Sequence, residues 1–264
     1  MSDRVTILHL GEGESRQAWK EALADRPWES GTLIKKDGER EVRRASMLDS
    51  NVAVKIRPAE RLRTALIGNE HTKHVTAARL LARTRVQTAA VRCVARVAKQ
   101  SVLVTGWLEG RTLLECLADS SEVERGELFR QVGGIVGMQL GGELFNRDNK
   151  PSNVIVISGA EREMALVDIA GVRRVLTRTR RSAIRYVARM CSSLAIEPRG
   201  LGIAVSEVDL EAAAYAAVIS YCSVFFTDEQ VADLCMRATA LTLDLVAAHG
   251  DATPKVNPLN PPTP

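Results

Sequence analysis

"LFNRDNKPSNVIV", residues 144–156, places an aspartate, a lysine and an asparagine at fixed offsets ahead of a β-branched run. Pro151 stops a helix from passing through, because proline lacks an amide donor and its ring clashes with the preceding turn. The run from Val154 to Val156 predicts a strand. The segment therefore reads as a loop entering a strand, a shape that can turn Asp148, Lys150 and Asn153 toward one cleft. Further on, "EMALVDIAG" predicts a second short strand, paired with "NVIVIS" through a turn at Gly159. Asp168 stands at its end, where a carboxylate is well placed to hold a divalent cation. This hairpin is expected to be the only sheet in its half of the chain.

Around the hairpin the pattern is helical: "RTLLECLAD", "EVERGELFRQVGGIVGMQLGG", "RSAIRYVARMCSSLAI", "SEVDLEAAAYAAVISYC" and "DEQVADLCMRATALTLDLVAAHG". Upstream it is extended. "GTLIKKDGEREVRRASML" carries an Asp37-Gly38 turn signal between two strands, and "NVAVKI" makes a third. "AAVRCVARVAKQSVLVTGWLEG" adds two more, with "ALIGNEHTKHVTAARLLART" as a helix between. The expected class is α+β, with a small antiparallel β lobe holding one helix at 31–108 and a larger α-rich lobe at 109–250. Residues 1–30 read as an N-terminal extension of a strand and a short helix. "DATPKVNPLNPPTP", 251–264, holds five of the nine prolines and reads as a disordered tail.

In "NVAVKI", strand alternation puts Val52, Val54 and Ile56 on one face and Ala53 and Lys55 on the other. Alone, Lys55 reads as a solvated edge lysine. In the following helix, however, Glu70 shares a face with Ala77 and Leu81, and a carboxylate on an apolar stripe calls for a cation, which Lys55 can supply. The order is then a strand lysine, a helical glutamate, an Asp-x-Lys-x-x-Asn loop, a hairpin and a strand-end aspartate.

In that order the chain resembles the protein-kinase-like phosphotransferases, most closely the lipopolysaccharide kinases that act on heptose and Kdo sugars. The resemblance runs from about Gly31 to the helices near residue 225. "VAVK" is similar to the family's "VAIK", "LVTGWLEGRTL" to its hinge, "NRDNKPSN" to "HRDLKPSN", and "LVDIAG" takes the place of "DFG". It implies a two-lobed kinase-like fold with ATP and Mg²⁺. Gly38, Ala53 and Lys55 would bind the nucleotide, with Glu70 positioning Lys55 on the α/β-phosphates. Asp148 would accept the acceptor's proton, Lys150 would neutralise the moving phosphoryl group, and Asn153 and Asp168 would hold Mg²⁺. The departures are Asn146 for the histidine, a single glycine in "KKDGER", and "DIA" with Gly171 one residue late. Lys35, Lys36 or Arg40 would compensate for the missing glycines by charge.

Only about twenty residues separate Asp168 from the next clear helix, and nothing resembles the "APE" segment that supports a peptide platform. The expected acceptor is a sugar hydroxyl of lipopolysaccharide core or a related glycan or glycolipid. The sparse glycine loop keeps a pseudokinase or nucleotide-binding scaffold as an alternative, and Lys150 keeps a Ser/Thr protein kinase.

Composition sets the remaining bounds. At 264 residues, 45% hydrophobic and 26% charged, the chain can bury a large core and is neither disordered nor fibrous. No apolar run approaches the roughly 20 residues that span a bilayer and no basic leader precedes one, so a cytoplasmic protein is expected. Five widely spaced cysteines without a C-x-x-C pair give neither a disulfide framework nor a zinc site. His71 and His74 read as solvated helix positions. "GEGESR" at 11–16 partly mimics a dinucleotide-binding turn, but Arg16 fills the third glycine position. "GVRRVLTRTRRSAIRYVAR", 171–189, carries seven arginines and no acid. The run from Arg173 to Arg189 is a solvated helix face or a contact for an anionic glycolipid or the inner membrane surface. No nucleic-acid partner is expected.

Overall fold

Alternating apolar residues build the first layer of the fold. The computed structural model describes residues 5–59, 70–159, 163–175, 179–222 and 226–249. The tail at 251–264 lies outside them. The chain divides into two units, one formed by residues 5–59, 70–78 and 89–108 and the other by 79–88 and 109–249. Both are mixtures of helix and sheet, so the α+β class holds.

In the first unit, strands β1 (Val5–Leu10), β2 (Thr32–Asp37), β3 (Arg40–Met47), β4 (Ser50–Pro58), β6 (Val91–Val97) and β7 (Gln100–Gly106) form one antiparallel sheet. Their order is β1-β6-β7-β4-β3-β2. Residues 5–30 form the expected strand and short helix, and these are built into the sheet. β1 pairs with β6, and helix α1 (Arg16–Ala24) lays Trp19 and Leu23 on one sheet face. A 3₁₀ turn at Pro27–Ser30 adds Trp28, and Val52, Val54 and Ile56 of β4 project into the same core. The physical reason is burial, because two indoles and a leucine left outside would forgo several kcal/mol, at about 25 cal/mol per Å² of apolar surface. "GEGESR" serves this packing. Glu14 accepts from Trp19 Nε1 at 2.7 Å and pairs with Arg92 of β6, so its polar role is structural.

The opposite sheet face carries Ala53, Lys55 and Arg57. Helix α2 (Glu70–Leu81) meets this side, with Val75 against Val94 and Leu103. His71 and His74 are buried, not solvated, since their i, i+3 spacing lies on the stripe that faces inward. His71 Nδ1 sits 3.0 Å from Ser101 Oγ.

The second unit contains β5 (Gln87–Thr88), β8 (Gly110–Thr112), β9 (Leu144–Asn146), β10 (Val154–Ile157), β11 (Met164–Leu166) and β12 (Val172–Arg174). The β10–β11 hairpin forms as expected, but it is not the only sheet. β8 and β5 flank it in the order β5-β11-β10-β8, and β9 pairs with β12. These flanking strands have two or three residues and too little periodicity to be read from sequence.

Among the described residues, five helices complete the unit: α3 (Leu113–Asp119), α4 (Glu122–Gly141), α5 (Arg180–Gly200), α6 (Glu207–Cys222) and α7 (Asp228–His249). Thr112-x-x-Glu115 and Ser121-x-x-Glu124 are capping boxes that start α3 and α4 by satisfying open amides. Buried Asp209 does the same for α6, accepting from Ser206 N at 2.9 Å, and also takes Arg125 Nε of α4 at 3.3 Å. Helices α4 and α6 cross closely. A Cβ at Gly133 would strike the Ala213 carbonyl, and one at Gly137 the Ala217 carbonyl.

Gly137→Ala is expected to lower stability by about 1–3 kcal/mol through overpacking, although alanine by itself favours a helix. Gly141→Ala, on the same helix with open space around it, is expected to be neutral or stabilising. Urea unfolding of the two variants checks the crossing. Equal effects would show that backbone approach does not limit the first site.

Candidate active site

The site is assembled around the loop from Leu144 to Asn153. β9 buries Leu144, Phe145 and Asn146, and Phe145 packs on Tyr186 of α5 with ring centroids 5.1 Å apart. Asn146 stands where the resemblance expects histidine and is 2% exposed. Its Oδ1 accepts from Asp148 N at 3.1 Å, closing a turn of the kind asparagine favours. The side chain thus shapes the backbone that carries Asp148.

Two donors converge on the Asp148 carbonyl: Lys150 N at 3.0 Å and Asn153 Nδ2 at 2.9 Å. A 3₁₀ turn at Pro151–Asn153 then delivers the chain into β10. Across the hairpin, Val154 is opposite Leu166, and Val167 N donates to the Asn153 carbonyl at 3.0 Å. Asp168 follows Val167 directly. Asn153 and Asp168 therefore occupy the same end of the β10–β11 hairpin, beside Asp148.

The Asp148 carboxylate is partly exposed, with Arg147 Nη2 3.5 Å from Oδ2, a surface pair of little energetic weight. Gly171 lies so close that a Cβ there would strike Asp148 Oδ2. Its lack of a side chain makes room for the carboxylate, and Arg147 N donates to its carbonyl at 3.4 Å.

Helix α5 fastens the loop from below. Asn149 is wholly buried and donates through Nδ2 to the Met190 carbonyl at 3.4 Å. Ser193 Oγ lies 2.6 Å from the Asn149 carbonyl and 2.7 Å from that of Met190, so its proton serves one or the other. Glu197 accepts from Ser152 N at 2.9 Å and stands 3.9 Å from Lys150 Nζ. Glu197, Ser193 and Asn149 were not singled out from sequence. A serine and a glutamate four apart on a helix have no distinguishing pattern until the loop is seated on them.

In the first unit, Gly38 begins the two-residue turn of the β2–β3 hairpin with φ +58°, the place where such turns favour glycine. "KKDGER" is therefore a tight turn. Lys36 Nζ is 3.1 Å from Glu41, and Arg40 Nη1 is 3.5 Å from Glu70. Ala53 and Lys55 are half-buried on the face named above, opposite Thr105 and Leu103 of β7. Glu70 also accepts from Arg57 Nη1 at 2.8 Å. Arg57 was missed in the sequence, although it shares the strand face of Lys55 two residues on.

The donor set fits a hard cation. Asn153 donates through Nδ2 to the Asp148 carbonyl, which leaves its Oδ1 as an acceptor, and Asp168 would contribute carboxylate oxygens; Mg²⁺ commonly takes one or two such protein ligands beside water and phosphate. Among the described residues, no group of three or more His, Cys, Asp or Glu side chains gathers as a metal site. Thiolate chemistry is disfavoured: burial pushes Cys93 and Cys191 up to about 12 and Cys222 up to about 11, and raises Cys116 and Cys235.

Glu197→Ala is expected to cost about 1–3 kcal/mol, because a backbone amide loses a charged acceptor. Glu197→Gln, which keeps an acceptor oxygen, should cost less. Urea denaturation of the pair tests the fastening, and wild-type stability in Glu197→Ala would refute it. No protein-family model matches the sequence, and no curated protein matches it.

Proposed function

We propose that this protein is an ATP-dependent kinase that transfers the γ-phosphoryl group to a sugar hydroxyl of lipopolysaccharide core or a related anionic glycan. The observation that carries the reading is the meeting of Asp148, Asn153 and Asp168 at one end of the β10–β11 hairpin. Its resemblance to kinase-like catalytic loops and the two-lobed kinase-like fold belong to the same proposal. A cytoplasmic location belongs to the same proposal. Among the described residues, no helix is long and apolar enough to cross a membrane.

Asp148 orients the acceptor hydroxyl and takes its proton as the oxygen bonds to the γ-phosphorus and the bond to the ADP oxygen breaks. Lys150 offers positive charge to the moving group, and Glu197 restrains it. Gly171 keeps space for the carboxylate of Asp148. Ala53, Lys55 and Gly38 receive the nucleotide, with Lys55 on its α/β-phosphates. Glu70 organises the cations of that sheet face through Arg57 and Arg40. Asn153 and Asp168 would hold Mg²⁺, which when bound neutralises phosphate charge.

The scaffold reading is favoured by one observation: the tight turn at Gly38, with Lys36 engaged by Glu41, offers few open amides for phosphates. A Ser/Thr protein kinase remains the reading in which the acceptor changes.

Purified protein is expected to phosphorylate core oligosaccharide with ATP and Mg²⁺. Asp148→Ala should lower kcat by roughly 10²–10⁴-fold, and Gly171→Ala should lower it while stability stays close to wild type. Mg²⁺-ATP binding without wild-type turnover would establish the scaffold instead, and transfer to protein but not glycan would overturn the acceptor.

A further inference from the structure

The arginine run divides in the structure, and part of it builds a groove of its own. Arg180, Arg181, Ile184 and Arg185 of α5 face Asp233, Arg237 and Leu241 of α7 across an open groove of about 710 Å³. Four guanidiniums meet one carboxylate, and that carboxylate is engaged by Arg237 Nε at 2.8 Å. Arg180, Arg181 and Arg185 are exposed and make no ion pair among the described residues. Concentrating like charge on facing helices is unfavourable by itself, and it becomes favourable when an anion enters. The first turn of α5 has no acidic residue, so the amide dipoles there add to the field.

This groove is separate from the loop. Tyr186, Met190, Ser193 and Glu197 recur at i, i+4, i+7 and i+11 and form the face of α5 that touches the catalytic loop. Arg181, Ile184 and Arg185 lie about half a turn round the same helix. Arg173, from the earlier part of the run, stacks over Phe145 at 5.6 Å and belongs to the loop side.

We propose that the α5–α7 groove is a second, non-catalytic binding site for a multiply charged phosphate ester. The guanidiniums take the phosphate oxygens, and Ile184 and Leu241 take the carbon skeleton attached to them. This inference does not rest on the kinase reading. Such a phosphate group occurs on soluble ligands and on lipid headgroups, and the two sources are separated by the probes.

Titrations use the full chain carrying Lys55→Ala, without Mg²⁺, so that the proposed nucleotide site does not contribute. The probes are inorganic tripolyphosphate and phosphatidylcholine vesicles with and without phosphatidic acid. Saturable, salt-sensitive binding to at least one phosphate probe is expected. Arg181→Gln with Arg185→Gln should weaken it by about fivefold for each guanidinium removed, while Arg96→Gln, an exposed arginine of β6, leaves it unchanged. Asp233→Asn should tighten it, a gain that misfolding cannot mimic. Tripolyphosphate binding alone identifies a soluble phosphate-bearing ligand and vesicle binding alone a lipid headgroup, both in support. Absence of binding to both probes, equal weakening by Arg96→Gln, or no response to Asp233→Asn overturns the proposal.

Discussion

The second unit depends on the seating of a polar loop on one helix. Asn149 is wholly buried, and a buried amide without partners is costly, so the Met190 carbonyl, Ser193 and Glu197 constrain where residues 148–153 can lie. Asn146 closes the same loop from its other end. Asp148 inherits its position from these bonds while its own carboxylate stays open to solvent. Rigidity lies in the residues beside Asp148, and its carboxylate stays accessible.

The approach to the loop is governed by close helix packing. Gly133 and Gly137 let α4 approach the alanines of α6, and Arg125 with Asp209 ties the far ends of the two helices. α4 then ends at Gly141, and the chain turns through Glu143, with φ +56°, straight into β9. A helix pair held at backbone distance thus gives the loop a firm starting point.

Helix α5 joins two surfaces of different character. One face closes under the loop through Tyr186, Met190, Ser193 and Glu197, and the other carries the arginines that meet α7. A linear run of arginines looks uniform in sequence. The helical period separates its members, and Arg237, more than fifty residues from Arg181 in sequence, completes the set.

Strands with clear alternation, such as β4, and the long helices were legible before folding, because period and caps are local properties. The β10–β11 hairpin was legible in the same way, whereas the register that brings Asn153 close to Asp168 came with the structure. The incorporation of residues 5–30 into the sheet was decided by tertiary structure, since only a formed sheet offers Trp19 and Trp28 a place to bury. The burial of His71 and His74, the engagement of Glu70 by Arg57, and the roles of Glu197 and Gly171 were decided in the same way. Each depends on which side chain a long-range contact brings within a few ångströms, and spacing along the chain carries no record of that.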